Sequence, residues 1–201
     1  MVELGRIQPD ETILIHGAAG GVGLAALQVA KLKGAKVIAT AGTREKRRFL
    51  SMLGADHVFD SRSLGFVNDV RAVTDGEGVD LVLNSLFAEA MEQSLALVKP
   101  FGRFLELGKR DYYADSKIGL RPFRRNVSYF GIDADQLLVN APDLTRRIFM
   151  EIGALFEEGK LTPLPYRAFD YDEIGNAFRL MQNAGHIGKI VVLPPVAGKH
   201  R

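Results

Sequence analysis

The chain contains no cysteine, and this absence removes three kinds of chemistry at once. Without a thiol there is no disulfide, no thiolate nucleophile and no cysteine-ligated zinc. The four histidines are scattered along the chain without the spacing of metal ligands, so we expect no metal site. They are His16, His57, His186 and His200.

Long hydrophobic runs and an excess of one charge are also lacking. No apolar run approaches the roughly 20 residues that span a bilayer, and residues 1–5 do not begin a signal peptide. The 26 basic and 24 acidic residues nearly cancel, which argues against a protein dedicated to nucleic acids or membrane surfaces. We therefore expect a soluble, cytoplasmic α/β protein with no nucleic-acid, membrane or metal partner.

Apolar stretches of strand length alternate with helical stretches along most of the chain. Continuous apolar strands separated by helices are typical of a parallel sheet that is covered on both faces. We therefore predict a doubly wound, six-stranded parallel sheet of the Rossmann type, with helices on both faces. The candidate strands are 12–16, 36–40, 57–59, 81–84, 102–107 and 127–132, and the helices between them are 22–33, 44–53, 66–73 and 88–97.

The carboxyl-terminal part fits this alternation less well. A helix over 144–158 is followed by Leu161–Pro165, which contains two prolines and is predicted to be irregular. A helix over 171–183 and a strand over 189–193 come next. We predict three parts: a Rossmann domain over 1–158, a return segment over 159–195 towards a substrate domain that is missing here, and a disordered tail over 196–201.

A glycine-rich segment, Gly17–Gly23, joins the first strand to the first helix. It matches two of the three glycines of the dinucleotide fingerprint G-x-G-x-x-G, with Gly20 and Gly23 in place and Ala18 at the first position. Gly20 allows a pyrophosphate to approach backbone N–H groups, and Gly23 allows close packing of helix and strand. A purely structural glycine turn is the alternative. The candidate pyrophosphate-binding residues are Ala19, Gly20, Gly21, Val22 and Gly23.

The end of the second strand indicates which dinucleotide is bound. NAD-binding versions carry an acid there for the adenosine ribose, but this chain has Ala41 and no acid between Gly17 and Arg44. Basic residues follow, and Arg can pair with a 2′-phosphate, so we predict NADP(H). The candidates are Arg44 first, then Lys46 and Arg47, with Thr43 and Ser61; the alternatives are a solvated basic face and a helix cap at Thr43.

Ligands of this fold lie beyond the carboxyl ends of the strands. We therefore expect the nicotinamide half of the cofactor to face three segments, 84–86, 107–109 and 131–133. Lys109 and Asp135 are candidate proton donors, and Lys109 needs a tuned environment to be an effective acid. The candidate binding residues here are Asn84, Ser85, Leu86, Leu107 and Gly108; helix capping is the alternative for Ser85.

Five sequence blocks together resemble a known family. Ala18–Gly23 is similar to the quinone-reductase branch of the medium-chain dehydrogenase/reductase superfamily. The other four, over 60–63, 80–86, 102–109 and 186–191, are similar to the enoyl reductase domains of modular polyketide synthases and animal-type fatty acid synthases. These blocks read DSRS, DLVLNSL, GRFLELGK and HIGKIV.

The resemblance implies a zinc-free reaction in which NADPH delivers hydride to the β-carbon of a trans-2-enoyl thioester on an acyl carrier protein. A proton then reaches the α-carbon, and the family motifs assign its donors to Lys109 and Asp135, with Asp133 close to the second position. The family's stereochemical tyrosine belongs to the missing substrate domain, so no tyrosine here receives that role. The fragment alone is expected to be incomplete for turnover.

The resemblance also suggests partners. These are the acyl carrier protein, the other domains of a synthase, and a second copy of the chain paired through 127–132. A basic cluster, Arg121, Arg124 and Arg125, could meet the carrier protein or its phosphopantetheine, or be solvated surface. The alternatives for function are a free-standing quinone or enone reductase and a non-catalytic module that binds NADPH.

Overall fold

Six parallel strands form the main sheet of the computed structural model, which describes residues 1–195. The predicted tail 196–201 lies outside the described residues. The strand order is β3-β2-β1-β4-β5-β6, so the predicted doubly wound sheet is confirmed. The strands are β1 (Thr12–Ile15), β2 (Lys36–Ala41), β3 (His57–Asp60), β4 (Val79–Asn84), β5 (Val98–Glu106) and β6 (Ser128–Gly131).

Helices cover both faces of this sheet because successive strand residues point to opposite sides. Ile13 and Ile15 pack on one face, and Leu14 between them packs on the other. The first face is covered by α1 (Gly21–Leu32) and α2 (Arg44–Met52), and the second by α3 (Gly65–Val73) and α4 (Glu89–Ala96). The remaining helices up to residue 157 are α5 (Arg110–Tyr113), a 3-10 helix (Arg121–Arg125), α6 (Asp135–Asn140) and α7 (Pro142–Glu157).

β1 lies between β2 and β4. From β1 the chain adds β2 and β3 on one side of the sheet, and then β4, β5 and β6 on the other side. Ile15 is in register with Ala39 on one side and Leu83 on the other. The connections that leave β1 and β4 run to opposite faces of the sheet, which opens a crevice at the carboxyl ends of these strands. The glycine-rich segment lies at this crevice.

A smaller unit follows α7. It comprises β7 (Tyr166–Phe169), a 3-10 turn (Tyr171–Glu173), α8 (Ile174–Gln182) and β8 (Lys189–Val192), and β7 pairs with β8 in parallel. The irregular stretch before it is as predicted, but β7 was not predicted from the sequence. We call residues 166–192 the C-terminal unit. No helix within residues 1–195 has the length and apolar character needed to cross a bilayer.

Candidate functional site

The glycine-rich segment turns the chain sharply from β1 into α1. Gly17 has a positive φ of 59°, a conformation that glycine adopts without strain. A Cβ at Gly23 would lie 2.4 Å from the Cα of Ala18, so only glycine permits this approach of helix and loop. Gly20 occupies the N-cap position, and within the described structure neither a side-chain cap nor an acidic residue serves the first turn of α1. The free N–H groups and positive end of this helix favour an anion there.

The C-terminal unit packs directly on this segment. The backbone N–H of Gly188 donates to the carbonyl oxygen of Ala19 over 2.8 Å, and Gly188 forms a bridge with Gly20. The side chain of Lys189 covers Gly21, since a Cβ at Gly21 would meet the Lys189 Cε at 2.5 Å. The glycine-rich segment therefore lies between the main sheet and the C-terminal unit.

A cavity of about 370 Å³ lies beside the glycine-rich segment, and we call it the basic cavity. Its volume is in the usual range of small-molecule sites. Five predicted binding residues line it: Ala19, Gly20, Thr43, Lys46 and Ser61. The other described lining residues are Gly17, Ala41, Gly42, Arg62, Asn183, Ala184 and His186.

The basic cavity carries positive charge from Lys46 and Arg62, and none of its described lining residues is acidic. Partial burial lowers the pKa of Lys46, and the charge of Arg62 acts in the same direction. The Lys46 ammonium donates a hydrogen bond to the carbonyl oxygen of Ala184 in the C-terminal unit. The nearby Glu45 carboxylate raises the pKa of Lys46, but Glu45 does not line the cavity. Two cations that line one cavity form a site suited to a phosphate.

The other basic residues predicted at this point lie elsewhere. Arg44 is exposed and lines a separate, larger cavity together with Arg48. Arg47 donates to the carbonyl oxygen of Ala41 at 3.0 Å and forms an ion pair with Asp60 at 3.1 Å. The structure therefore does not bring Arg44 or Arg47 to the basic cavity, because consecutive helical residues face different directions.

Thr43 has the capping role that was the alternative to ligand binding. Its hydroxyl accepts a hydrogen bond from the backbone N–H of Lys46 at 3.3 Å, at the start of α2. It also lines the basic cavity. The two roles are compatible because a hydroxyl has both acceptor and donor capacity.

A buried polar pair lies where we expected ribose-binding groups. The Asn84 Nδ2 donates to Glu106 Oε2 over 2.7 Å and to the carbonyl oxygen of Leu86 over 2.9 Å. The other carboxylate oxygen, Glu106 Oε1, accepts from the Gly108 N–H over 2.6 Å. Burial raises the pKa of Glu106, and the hydrogen bond from Asn84 opposes this effect. The Asn84 side chain is thus engaged inside the protein, and ribose binding by it would require these bonds to be exchanged.

The other residues predicted at the nicotinamide end differ in accessibility. Ser85 is exposed near Gly17, and the N-cap of α4 is Ala88, so Ser85 does not cap that helix. Leu86 and Leu107 are half-buried against the two core clusters. Val22 is 59% exposed at the start of α1.

Lys109 lies at the carboxyl end of β5 between two carboxylates. Its ammonium is 2.6 Å from Asp135 Oδ2 and 2.9 Å from Asp133 Oδ1. The hydrogen bonds that Lys109 donates to Asp135 and to Asp133 raise the pKa of Lys109, and the Lys109 ammonium lowers the pKa of Asp133. The structure therefore brings the two predicted proton donors together and includes Asp133, the alternative to Asp135. It keeps the lysine charged, but a raised pKa makes the ammonium a weaker acid, so these contacts act against the tuning that an effective donor needs.

The basic cluster lies at the end of the sheet opposite the glycine-rich segment. Arg121, Arg124 and Arg125 line a cavity of about 450 Å³ next to the end of α4. The 3-10 helix that carries them precedes β6, so it lies at the amino-terminal edge of the sheet. The glycine-rich segment follows β1 and lies at the opposite edge.

The sequence analysis missed Arg62, Gly42 and the three residues that the C-terminal unit contributes to the basic cavity. Arg62 directly follows Ser61, which was chosen, and the 60–63 block contained both. His186 begins another of the blocks. Arg62 could have been chosen from the sequence because it closely follows β3. The residues of the C-terminal unit could not, because tertiary packing brings them to the cavity.

The chain was compared with protein families and known proteins. The family model described as "Zinc-binding dehydrogenase" matches residues 53–192. One component of the phenolphthiocerol/phthiocerol polyketide synthase of Mycobacterium tuberculosis is 44% identical over 98% of this chain, which spans 9% of that protein. A crystal structure of the nucleotide-binding subdomain of the enoylreductase domain of PpsC, from the same organism, is 44% identical, with a TM-score of 0.76; the match covers 80% of this chain and 90% of that one.

This chain belongs to the enoyl reductase domains of polyketide synthases. CurK enoyl reductase is 41% identical with a TM-score of 0.85, and the match covers 97% of this chain and 58% of CurK. The resemblance proposed from the sequence is therefore confirmed. The enoyl reductase chain spans only a small part of its curated relatives.

The name of the matched family implies zinc, but the donor set of this enoyl reductase chain does not fit that metal. Zinc sites in dehydrogenases depend on cysteine or histidine ligands, and the sequence has no cysteine. Within residues 1–195, no group of three or more His, Asp or Glu side chains could hold a metal ion. We therefore derive no step through zinc.

Proposed function

We propose that this chain is the nucleotide-binding part of an NADPH-dependent enoyl reductase that acts on acyl-carrier-protein-bound trans-2-enoyl thioesters. The observation that carries this proposal is the basic cavity, where Lys46 and Arg62 lie beside the glycine-rich segment. The 2′-phosphate is the group that distinguishes NADPH from NADH. A cavity with two cations and no acidic lining residue among those described favours it.

The cofactor's two phosphate regions have separate partners in this proposal. The N-terminus of α1, with Gly20 at its cap, binds the pyrophosphate through backbone N–H groups. Lys46 and Arg62 bind the 2′-phosphate, and Ser61 and Thr43 supply hydroxyls beside it. Position 41 is an alanine and not an acid, so this residue does not repel the negative charge of the 2′-phosphate.

A reduced nicotinamide supplies a hydride for the β-carbon of the substrate when it is bound. The protein's contribution is the placement of a proton source for the α-carbon. Lys109 lies at the carboxyl end of β5, and its contacts with Asp133 and Asp135 keep it protonated. We propose Lys109 as the donor, with the two carboxylates orienting its ammonium; the neutral amine left after transfer takes up a proton from solvent.

The partners follow from the same proposal. Substrate arrives on an acyl carrier protein, and the chain works among the other domains of a synthase. We also propose pairing of two copies through β6, which is one of the two edge strands of the described sheet. The Arg121–Arg125 segment lies at the opposite edge from the basic cavity, which favours solvated surface as its role.

The test is turnover by the enoyl reductase that contains this chain together with the segment that CurK has beyond the matched region. A trans-2-enoyl thioester and a quinone are offered separately, each with NADPH and with NADH. We expect oxidation of NADPH with the thioester, and little with NADH or the quinone. Faster reduction of the quinone would favour a free-standing quinone or enone reductase, and cofactor binding without turnover of either substrate would favour a non-catalytic module.

A further inference from the structure

His186 lines the basic cavity from the C-terminal unit, opposite the main sheet. Its Nδ1 is buried and has no hydrogen-bond partner among the described residues. A buried polar atom without a partner is unfavourable, and most such atoms in proteins find one. The sequence analysis considered this histidine only as a possible metal ligand and as part of a family block.

The surroundings of His186 indicate what kind of group would satisfy it. The carbonyl oxygen of Ala184, two residues earlier, accepts a hydrogen bond from the Lys46 ammonium. Arg62 lines the same cavity and affects the pKa of Lys46. The imidazole therefore shares the cavity with two cations, and these favour an anionic oxygen there.

The imidazole can reach such an oxygen by a simple rotation. A turn of 180° about the Cβ–Cγ bond exchanges Nδ1 with the Cδ2 edge of the ring, and these two orientations are close in shape. With a hydrogen on Nδ1, the ring donates to a phosphate oxygen. In this second orientation the Cδ2 edge takes the buried place, and an oxygen in the cavity would give Nδ1 the partner that it lacks in the described orientation.

We propose that His186 is a specificity-determining residue that donates a hydrogen bond to the 2′-phosphate, so that the C-terminal unit completes the site for this group. The inference rests on the proposed function, because it needs a ligand with a 2′-phosphate. It goes beyond the domain division expected from the sequence, in which residues 1–158 hold the cofactor alone. The contact between Gly188 and Ala19 fixes the unit in the position that this role requires.

The experiment is isothermal titration of the full chain with adenosine 2′,5′-bisphosphate and with adenosine 5′-phosphate. His186→Phe keeps a ring and removes Nδ1, whereas His186→Asn keeps a polar atom on Cγ at a similar place. We expect His186→Phe to weaken the bisphosphate by roughly tenfold, as for the loss of one hydrogen bond to a charged group. The monophosphate should change much less, and His186→Asn should retain most of the bisphosphate affinity.

Two results would overturn the inference. One is equal weakening of both ligands by His186→Phe, which would indicate a general structural role, and the other is no weakening of either. If the parent chain itself does not prefer the bisphosphate, the proposed function fails instead. The imidazole ¹⁵N spectrum of the parent chain tests the contact without any substitution: the Nδ1 signal should shift with the bisphosphate and not with the monophosphate, and an unchanged signal contradicts the inference.

Discussion

Asn84 and Glu106 join the ends of two neighbouring strands through a hydrogen bond of 2.7 Å between Nδ2 and Oε2. They are opposite each other in the register of β4 and β5, and both are almost completely buried. Asn84 also bonds to both backbone polar groups of Leu86, and Glu106 accepts from the N–H of Gly108. One buried pair thereby fixes the two loops that face the expected nicotinamide position.

Glu106→Gln tests this arrangement. Both carboxylate oxygens accept hydrogen bonds, and a glutamine amide would place its NH₂ group against one of the two donors. We expect a loss of about 1–3 kcal/mol in the free energy of unfolding, measured with urea, for one mismatched buried polar group. The matched control is Glu157→Gln at the exposed end of α7, where no comparable loss is expected. Equal effects of the two substitutions would contradict the role of the pair.

Gly42→Asp tests the charge of the basic cavity. A Cβ at Gly42 would lie 3.2 Å from the Arg62 Nε, so the new carboxylate would pair with Arg62 and repel a phosphate. We expect NADPH to bind at least about tenfold more weakly, or 1.4 kcal/mol, with a smaller change for NADH. Gly42→Asn has nearly the same shape without the charge and serves as the control. If both variants weaken NADPH alike, the effect is steric and the charge argument fails.

His16 makes the stability of the fold depend on pH. Burial lowers the pKa of His16 to about 3 from an ordinary value of 6.5, and its ring nitrogens bond to the hydroxyls of Thr40 and Ser94. The unfolded chain therefore takes up a proton below about pH 6.5 that the folded chain does not. This contribution to stability is complete above pH 6.5 and is lost as the pH falls towards 3.

The corresponding measurement is urea unfolding of the parent and of His16→Gln between pH 7.5 and 4.5. We expect the stability difference between them to change by about 1.4 kcal/mol for each pH unit below 6, in the direction that penalises the parent. Parallel pH curves for the two proteins would show that His16 is not held neutral.

Lys109→Ala tests the proton donor in the enoyl reductase with its remaining segment present. We expect turnover to fall by about 10² to 10⁴, the usual contribution of a general acid, while NADPH affinity stays the same. Asp135→Asn and Asp133→Asn compare the two carboxylates that bind the lysine. The control is Lys117→Ala, which removes another lysine–aspartate pair, at 2.7 Å and fully on the surface. Turnover that survives Lys109→Ala and Asp135→Ala would show that protons come from elsewhere.

The sequence predicted the sheet well because its strands carry strong local signals. β1 and β4 contain the continuous apolar runs 13–15 and 81–83. A glycine with positive φ follows the C-cap residue of α1 and of α2, Gly34 and Gly54 respectively. The strand β7 lacks such a signal, because three of its four residues are exposed and prolines precede it. It forms through pairing with β8, which lies about twenty residues away.

The structure places some of the predicted site residues at the basic cavity and others away from it, and these differences share one physical origin. The sequence shows that basic residues follow β2, but only the helix geometry shows that Lys46 faces the basic cavity while Arg44 faces away. Asn84 was chosen because a polar residue ends a buried strand, and its true partner, Glu106, is set by the register of β4 and β5. His186 reaches the cavity through the packing of the C-terminal unit. Tertiary contacts decided each of these outcomes.

The most direct test of the account is a fluorescence titration of this chain with NADPH and with NADH, repeated with Arg62→Ala and Arg48→Ala. We predict that NADPH binds at least about tenfold more tightly than NADH, a difference of 1.4 kcal/mol. The preference should be lost in Arg62→Ala and kept in Arg48→Ala, whose side chain lines the separate cavity. Equal or tighter binding of NADH by the parent chain, or a preference that survives Arg62→Ala, would contradict the assignment of the basic cavity to the 2′-phosphate.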